Sequence, residues 1–144
     1  MKAAADDHQF LFVYGTLRPE FGHPLHDRLA SVARPLGAAW FGGLLFDIGN
    51  YPGAVPSSES RNRIRGELYA IPAGRAGALF QVLDEYEDCS PRTAPESQFA
   101  REKHAVFCEG RAYESWVYVY RWPTEGYRRI VDGDYLSFLH RRGS

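Results

Sequence analysis

Apolar residues in this chain recur with two different periods, and the change from one to the other marks out most of its elements. Phe10-Leu11-Phe12-Val13-Tyr14 is an almost unbroken apolar run, rich in aromatic and branched residues. Such a run suits a strand buried on both faces. It stops at Gly15-Thr16-Leu17. There Gly15 permits positive φ and close approach to the backbone, and Pro19 has no N–H for a ladder. Backbone N–H groups at such an exit can hold a carboxylate or phosphate. An ordinary strand exit accounts for the same residues equally well.

Pro24 predicts the start of a short helix with Leu25, Leu29 and Val32 on one face, closed by Arg34-Pro35. Ala38 to Leu45 predicts a strand interrupted by a bulge or bend at Gly42-Gly43. Residues Asp47 to Gly53 predict a loop, from the Gly-Asn and Pro-Gly signals. Arg65 to Ile71 alternates as a strand up to Pro72. Phe99–Phe107 and Tyr113–Trp122 predict a hairpin turning at Glu109-Gly110. In its second strand Trp116, Tyr118 and Tyr120 share one face, and Val117 and Val119 the other. Asp134 is placed to cap a last helical turn through Tyr135, Leu136, Phe138 and Leu139. These elements describe an α+β chain with a mostly antiparallel sheet able to curl into a barrel. Residues 1–9 are expected to be a flexible tail and 10–140 a single domain, with no repeat or linker in the sequence.

The strongest helical period runs from Arg75 to Asp88. Leu79, Val82, Leu83 and Tyr86 form its stripe, with Phe80 at the edge. Asp84, Glu85 and Asp88 are expected to face solvent. Glu87 falls one turn after Leu83 and two after Phe80, on the edge of the buried side. A carboxylate there loses hydration, its pKa rises, and it can carry a proton near neutral pH. The alternative is that it reaches out to solvent or pairs with an arginine such as Arg101.

Composition narrows the field. The net charge of −1 gives no basic field for nucleic acid or an anionic membrane. Cys89 and Cys108 lack metal spacing and are expected to be two reduced thiols of a cytoplasmic protein. No apolar segment has the length of a membrane span or signal core. His8, His23, His26, His104 and His140 are scattered without ligand spacing, so no metal and no cofactor is expected. No phosphate loop or nucleophile turn is present either.

Taken in order, several short motifs resemble the γ-glutamylcyclotransferase-like (AIG2-like) family. They are Tyr14-Gly15-Thr16-Leu17, Tyr51-Pro52-Gly53, Gly66-Glu67-Leu68-Tyr69, Leu83-Asp84 with Glu87, Phe99-Ala100-Arg101, Trp116 to Tyr120, and Gly133-Asp134-Tyr135. The resemblance runs from Phe10 to about Phe138. It implies a small, mixed, mostly antiparallel β-barrel with short flanking helices. It also implies cyclisation of a γ-glutamyl amide to 5-oxoproline without a cofactor. On this reading Glu87 is the catalytic acid and base, the Tyr14–Leu17 turn binds the γ-glutamyl group, and Tyr51, Pro52, Gly53 and Tyr120 wall the pocket. The expected partner is a small γ-glutamyl substrate, with no nucleic acid or membrane, and the chain is expected to be a monomer or weak homodimer. A binding or regulatory module of the same fold without turnover is the rival. Asp88 in place of glycine, Phe99 in place of tyrosine, and a long Cys89–Gln98 loop depart from the family pattern around the rim. They bear on the choice of leaving amine rather than on the chemistry.

Overall fold

The structure is a computed structural model that describes residues 8–15, 17–19, 22–49, 51–59, 61–86 and 97–142. In chain order the elements are β1 (His8–Val13), α1 (Pro24–Val32), β2 (Arg34–Asp47), β3 (Pro52–Pro56), β4 (Arg63–Pro72), α2 (Ala73–Tyr86), β5 (Phe99–Cys108), β6 (Arg111–Tyr120), β7 (Arg128–Ile130) and α3 (Tyr135–Arg142). Five strands close into a mixed barrel in the order β1-β4-β2-β5-β6. The seam is a parallel β6–β1 contact at Leu11 and Trp116, and the other four pairings are antiparallel. β3 lies between β2 and β6, and β7 lies against the far end of β2.

Closure explains why β1 is apolar on both faces. Phe12 points into the barrel core with Phe41, Leu68, Val106 and Val117. Leu11 and Val13 belong to a second core with Leu29 of α1 and Leu79, Phe80 and Leu83 of α2. β6 is divided in the same way: Val117 and Val119 point inward, and Tyr118 and Tyr120 pack outward in the second core. The β5–β6 hairpin turns at Glu109 and Gly110, both at positive φ (51° and 79°). That matches the two-residue turn whose twist suits flanking strands.

Three elements differ from expectation. β2 runs unbroken through Gly42-Gly43, and its register shift lies earlier, between Pro35 and Gly37. The glycines mark the point where β2 passes from β4 to β3. A Cβ on Gly43 would stand 2.8 Å from the Val55 carbonyl oxygen. Residues Pro52 to Pro56, with their turn-like composition, form a strand because β2 supplies the pairing. The buried positions of α2 are Ala76, Leu79, Phe80, Leu83 and Asp84, while Val82 is half-buried and Tyr86 is exposed. The stripe is thus rotated toward Phe80, and it includes an aspartate that the sequence pattern assigned to solvent.

Candidate functional site

A cavity of about 350 Å³ opens where β1 leaves the barrel. β1 and the turn after it contribute Val13, Tyr14, Gly15 and Leu17. Tyr51, just before β3, and Pro52, the first residue of β3, line the next part, and the end of α2 contributes Tyr86. Gln98 and Phe99 at the start of β5, with Tyr118 of β6, complete the wall. None of the described lining residues carries a formal charge at neutral pH.

Each part of the wall is held in place. The turn after β1 closes through the Arg18 N–H, which donates to the Gly15 carbonyl at 3.0 Å. The Leu17 carbonyl accepts from His26 Nδ1 of α1 at 2.9 Å. Gly15 stands close to Pro52: a Cβ there would lie 3.0 Å from Pro52 Cγ and 3.1 Å from Cδ. The Tyr14 hydroxyl donates to the Tyr118 carbonyl at 2.5 Å and accepts from the Ala54 N–H at 3.3 Å, which ties β1 to β6 and β3. The Tyr51 hydroxyl donates to Gln98 Oε1 at 2.5 Å.

Of the residues expected at the site, Tyr14, Gly15, Leu17, Tyr51 and Pro52 line the cavity. Gly53 and Tyr120 stand behind that lining. The Tyr120 ring packs against Phe99 at 5.4 Å between centroids, and a Cβ on Gly53 would meet Tyr120 Cβ and Cγ at 3.0 Å. Burial first, then the hydrogen bond and charge of Tyr127 and the charge of Tyr51, push the Tyr120 phenol up to about 12. Thr16 and Glu87 lie outside the described residues, as does Cys89. The chain neighbours of Thr16 on both sides line the cavity, as does Tyr86, which precedes Glu87.

Two ionic groups outside that lining, around the buried Arg18 and Asp84, were not anticipated from the hydrophobic pattern. Arg18, 1% exposed, donates from Nε to Glu67 at 3.0 Å and from an Nη to Asp134 at 3.0 Å. It joins the turn after β1 to β4 and to the cap of α3. Asp134 Oδ1 also accepts from the Leu136 N–H at 3.1 Å, the expected helix cap. Burial alone would raise the Asp134 carboxyl. The hydrogen bond and charge of Arg18, with Ser137, outweigh it and hold the carboxyl below its usual value. Asp84, 8% exposed, accepts both arms of the Arg101 fork at 2.8 and 3.1 Å and the Tyr118 hydroxyl at 2.6 Å. Arg101 was expected as a possible partner of Glu87. Among the described residues its carboxylate partner is Asp84. The one sequence hint for this pair was that both stand inside the quoted motifs. Among the described residues, no group of three His, Cys, Asp or Glu side chains could hold a metal ion, and no helix is long and apolar enough to cross a membrane.

With this geometry in place, comparison with known proteins gives a consistent result. The family described as "Gamma-glutamyl cyclotransferase, AIG2-like" matches residues 11–137, and the chain belongs to that family. The "Gamma-glutamylcyclotransferase family protein YtfP" of Escherichia coli (strain K12) is 30% identical over 128 residues, covering 88% of this chain and 96% of that protein. The solution structure of ytfP from Escherichia coli superposes with a TM-score of 0.61 at 28% identity, over 90% of this chain and 98% of the other. An aig2-like protein from Mus musculus shares the fold with a TM-score of 0.59 at 22% identity, over 83% and 90% of the two chains.

Proposed function

We propose that this protein cyclises a γ-glutamyl amide to 5-oxoproline and releases the free amine, with Glu87 as general acid and base. The observation that carries the reading is the cavity itself. The strand exit, whose N–H groups can receive an anion, and the end of α2, which leads into Glu87, open onto one space. Its volume of about 350 Å³ lies within the range of roughly 300–1,000 Å³ common for small-molecule sites. The family assignment agrees with this chemistry class. The hydrophobic period of the sequence puts Glu87 on the edge of the buried side, where a carboxylate loses hydration.

The reaction asks little of the protein. The substrate is held bent, so that its α-nitrogen lies against its own γ-carbonyl carbon and attack is intramolecular. The new C–N bond forms the lactam, and the old amide C–N bond breaks. The α-ammonium gives up two protons in all, and the departing nitrogen takes up two, so the overall reaction is proton-neutral. Glu87 accepts from the attacking nitrogen and delivers to the leaving one. A raised pKa fits both tasks. The N–H groups of Gly15, Thr16 and Leu17 hold the substrate carboxylate or stabilise charge on the carbonyl oxygen. Tyr14, Tyr51 and Pro52, backed by Gly53 and Tyr120, shape the wall.

The test is a panel of γ-glutamyl amines and amino acids scored by 5-oxoproline formation. At least one member should release 5-oxoproline and amine in equal amounts. If none reacts while several bind, the chain is a binding module and the catalytic reading fails.

A further inference from the structure

We propose that Asp84, through its bonds to Arg101 and Tyr118, is a positioning residue for this site: it fixes the last turn of α2 against the barrel wall, the point from which Glu87 follows. The inference rests on the acid–base role proposed above for Glu87.

A helix end is the least constrained part of a helix, because its last carbonyls lack intrahelical partners. α2 has no basic residue in its last turn to compensate. Asp84, which opens that turn, is instead locked from two strands at once. Arg101 of β5 approaches with both arms of its fork, which fixes direction as well as distance. The Tyr118 hydroxyl of β6 donates to the same Oδ1. Arg101 is itself confined, with its guanidinium carbon 4.3 Å from the Phe80 ring centroid and 4.5 Å from that of Trp116. Phe80 lies one turn before Asp84 on α2, and Trp116 lies two residues before Tyr118 on β6. One carboxylate therefore ties α2 to β5 and β6 within a single cluster. Tyr118 lines the cavity, and its carbonyl receives the Tyr14 hydroxyl, so the cluster continues into the wall beside the strand exit.

Leu79, Phe80 and Leu83 bury the apolar side of α2, and Asp84 adds directed bonds to that contact. A largely buried ion pair is weak evidence for stability, but the two-point Arg101 contact fixes the direction of the carboxylate as well as its distance. Displacing a reacting group by about 1 Å can cost on the order of 100-fold in rate.

The experiment compares Tyr118→Phe and Asp84→Asn with the wild type on the best substrate of the panel. Tyr118→Phe removes one oxygen, keeps the ring, and preserves the fold if Asp84→Asn does not. Hydrogen exchange of the Leu83–Tyr86 amides is followed in parallel. Both variants should lose about 10- to 100-fold in kcat with KM within about threefold. The limb of the pH–rate profile that reports Glu87 should shift, and exchange should accelerate selectively in Leu83–Tyr86. A fall in melting temperature with kcat and pH profile unchanged would show a merely structural pair and overturn the proposal. A rise in KM at constant kcat would overturn it in favour of substrate binding. If the wild type is inactive on the whole panel, the acid–base reading fails and takes this proposal with it. That result is distinct from an active wild type with unaffected variants.

Discussion

Replacing Arg18 with methionine removes the cation that two carboxylates share while keeping an apolar side chain of similar length. Arg18 is 1% exposed, and the side chains of Glu67 and Asp134 are 14% and 21% exposed. Removing one partner of a buried ion pair costs about 3–5 kcal/mol. The residual hydration of both carboxylates places this case near the lower end, at about 3 kcal/mol. For a chain of 144 residues, that corresponds to a fall of about 10 °C in Tm. The effect depends on pH with a definite sign. In the wild type the Asp134 carboxyl lies below its ordinary 3.8 because Arg18 outweighs burial. Its contribution is complete above that value and is lost as pH falls through the lowered one. In Arg18→Met both lowering effects of Arg18 are gone while burial still acts, so the carboxyl moves up from its wild-type position. The part of its stability that came from Arg18 is then absent at neutral pH. The Tm difference between the two proteins should therefore be widest near about pH 7 and shrink as pH falls below about pH 4 toward about pH 3. Thermal melts followed by circular dichroism across that interval measure it. A variant melting within about 2 °C of the wild type, or a difference that does not change with pH, would refute the buried ion cluster as a source of stability.

Other outcomes follow from the same geometry. Gly15→Ala places a Cβ about 3.0 Å from Pro52 Cγ. It should weaken 5-oxoproline binding by titration calorimetry and lower stability by about 1–3 kcal/mol, whereas unchanged affinity would detach this turn from the ligand site. Burial, and then the charge of Glu109, push the Cys108 thiol up. Iodoacetamide mapping by mass spectrometry should find it unmodified in the folded protein and modified after denaturation. Rapid labelling in the native state would contradict its burial.

What could be read from the sequence was local or periodic. The two-faced apolar run of β1, the Pro24 start of α1, the Glu109-Gly110 turn and the Asp134 cap each carry their cause within a few residues. What could not be read depends on distant partners. Pro52–Pro56 has the composition of a loop, and only β2 makes it a strand. Asp84 was placed on the solvent face because a carboxylate is normally solvated. Its cation comes from Arg101, seventeen residues later on another element. Arg18 follows the strand exit, and nothing near it in sequence announces Glu67 or Asp134, 49 and 116 residues away. Among the described residues, Tyr14, Gly15, Leu17, Tyr51 and Pro52 line the cavity, as their short motifs mark the exits and turns that shape it. Gly53 and Tyr120 sit behind it, since strand alternation says which face a residue takes but not how deep it lies.

The central claim is that the acid following α2 transfers protons to a substrate held at the β1 exit. It is tested most directly by comparing the wild type with Glu87→Gln in a 5-oxoproline release assay on a reactive γ-glutamyl amine. The wild type should release 5-oxoproline and amine in equal amounts, and Glu87→Gln should lose about 100- to 10,000-fold in kcat with unchanged thermal stability. A Glu87→Gln protein that turns over at the wild-type rate would contradict it.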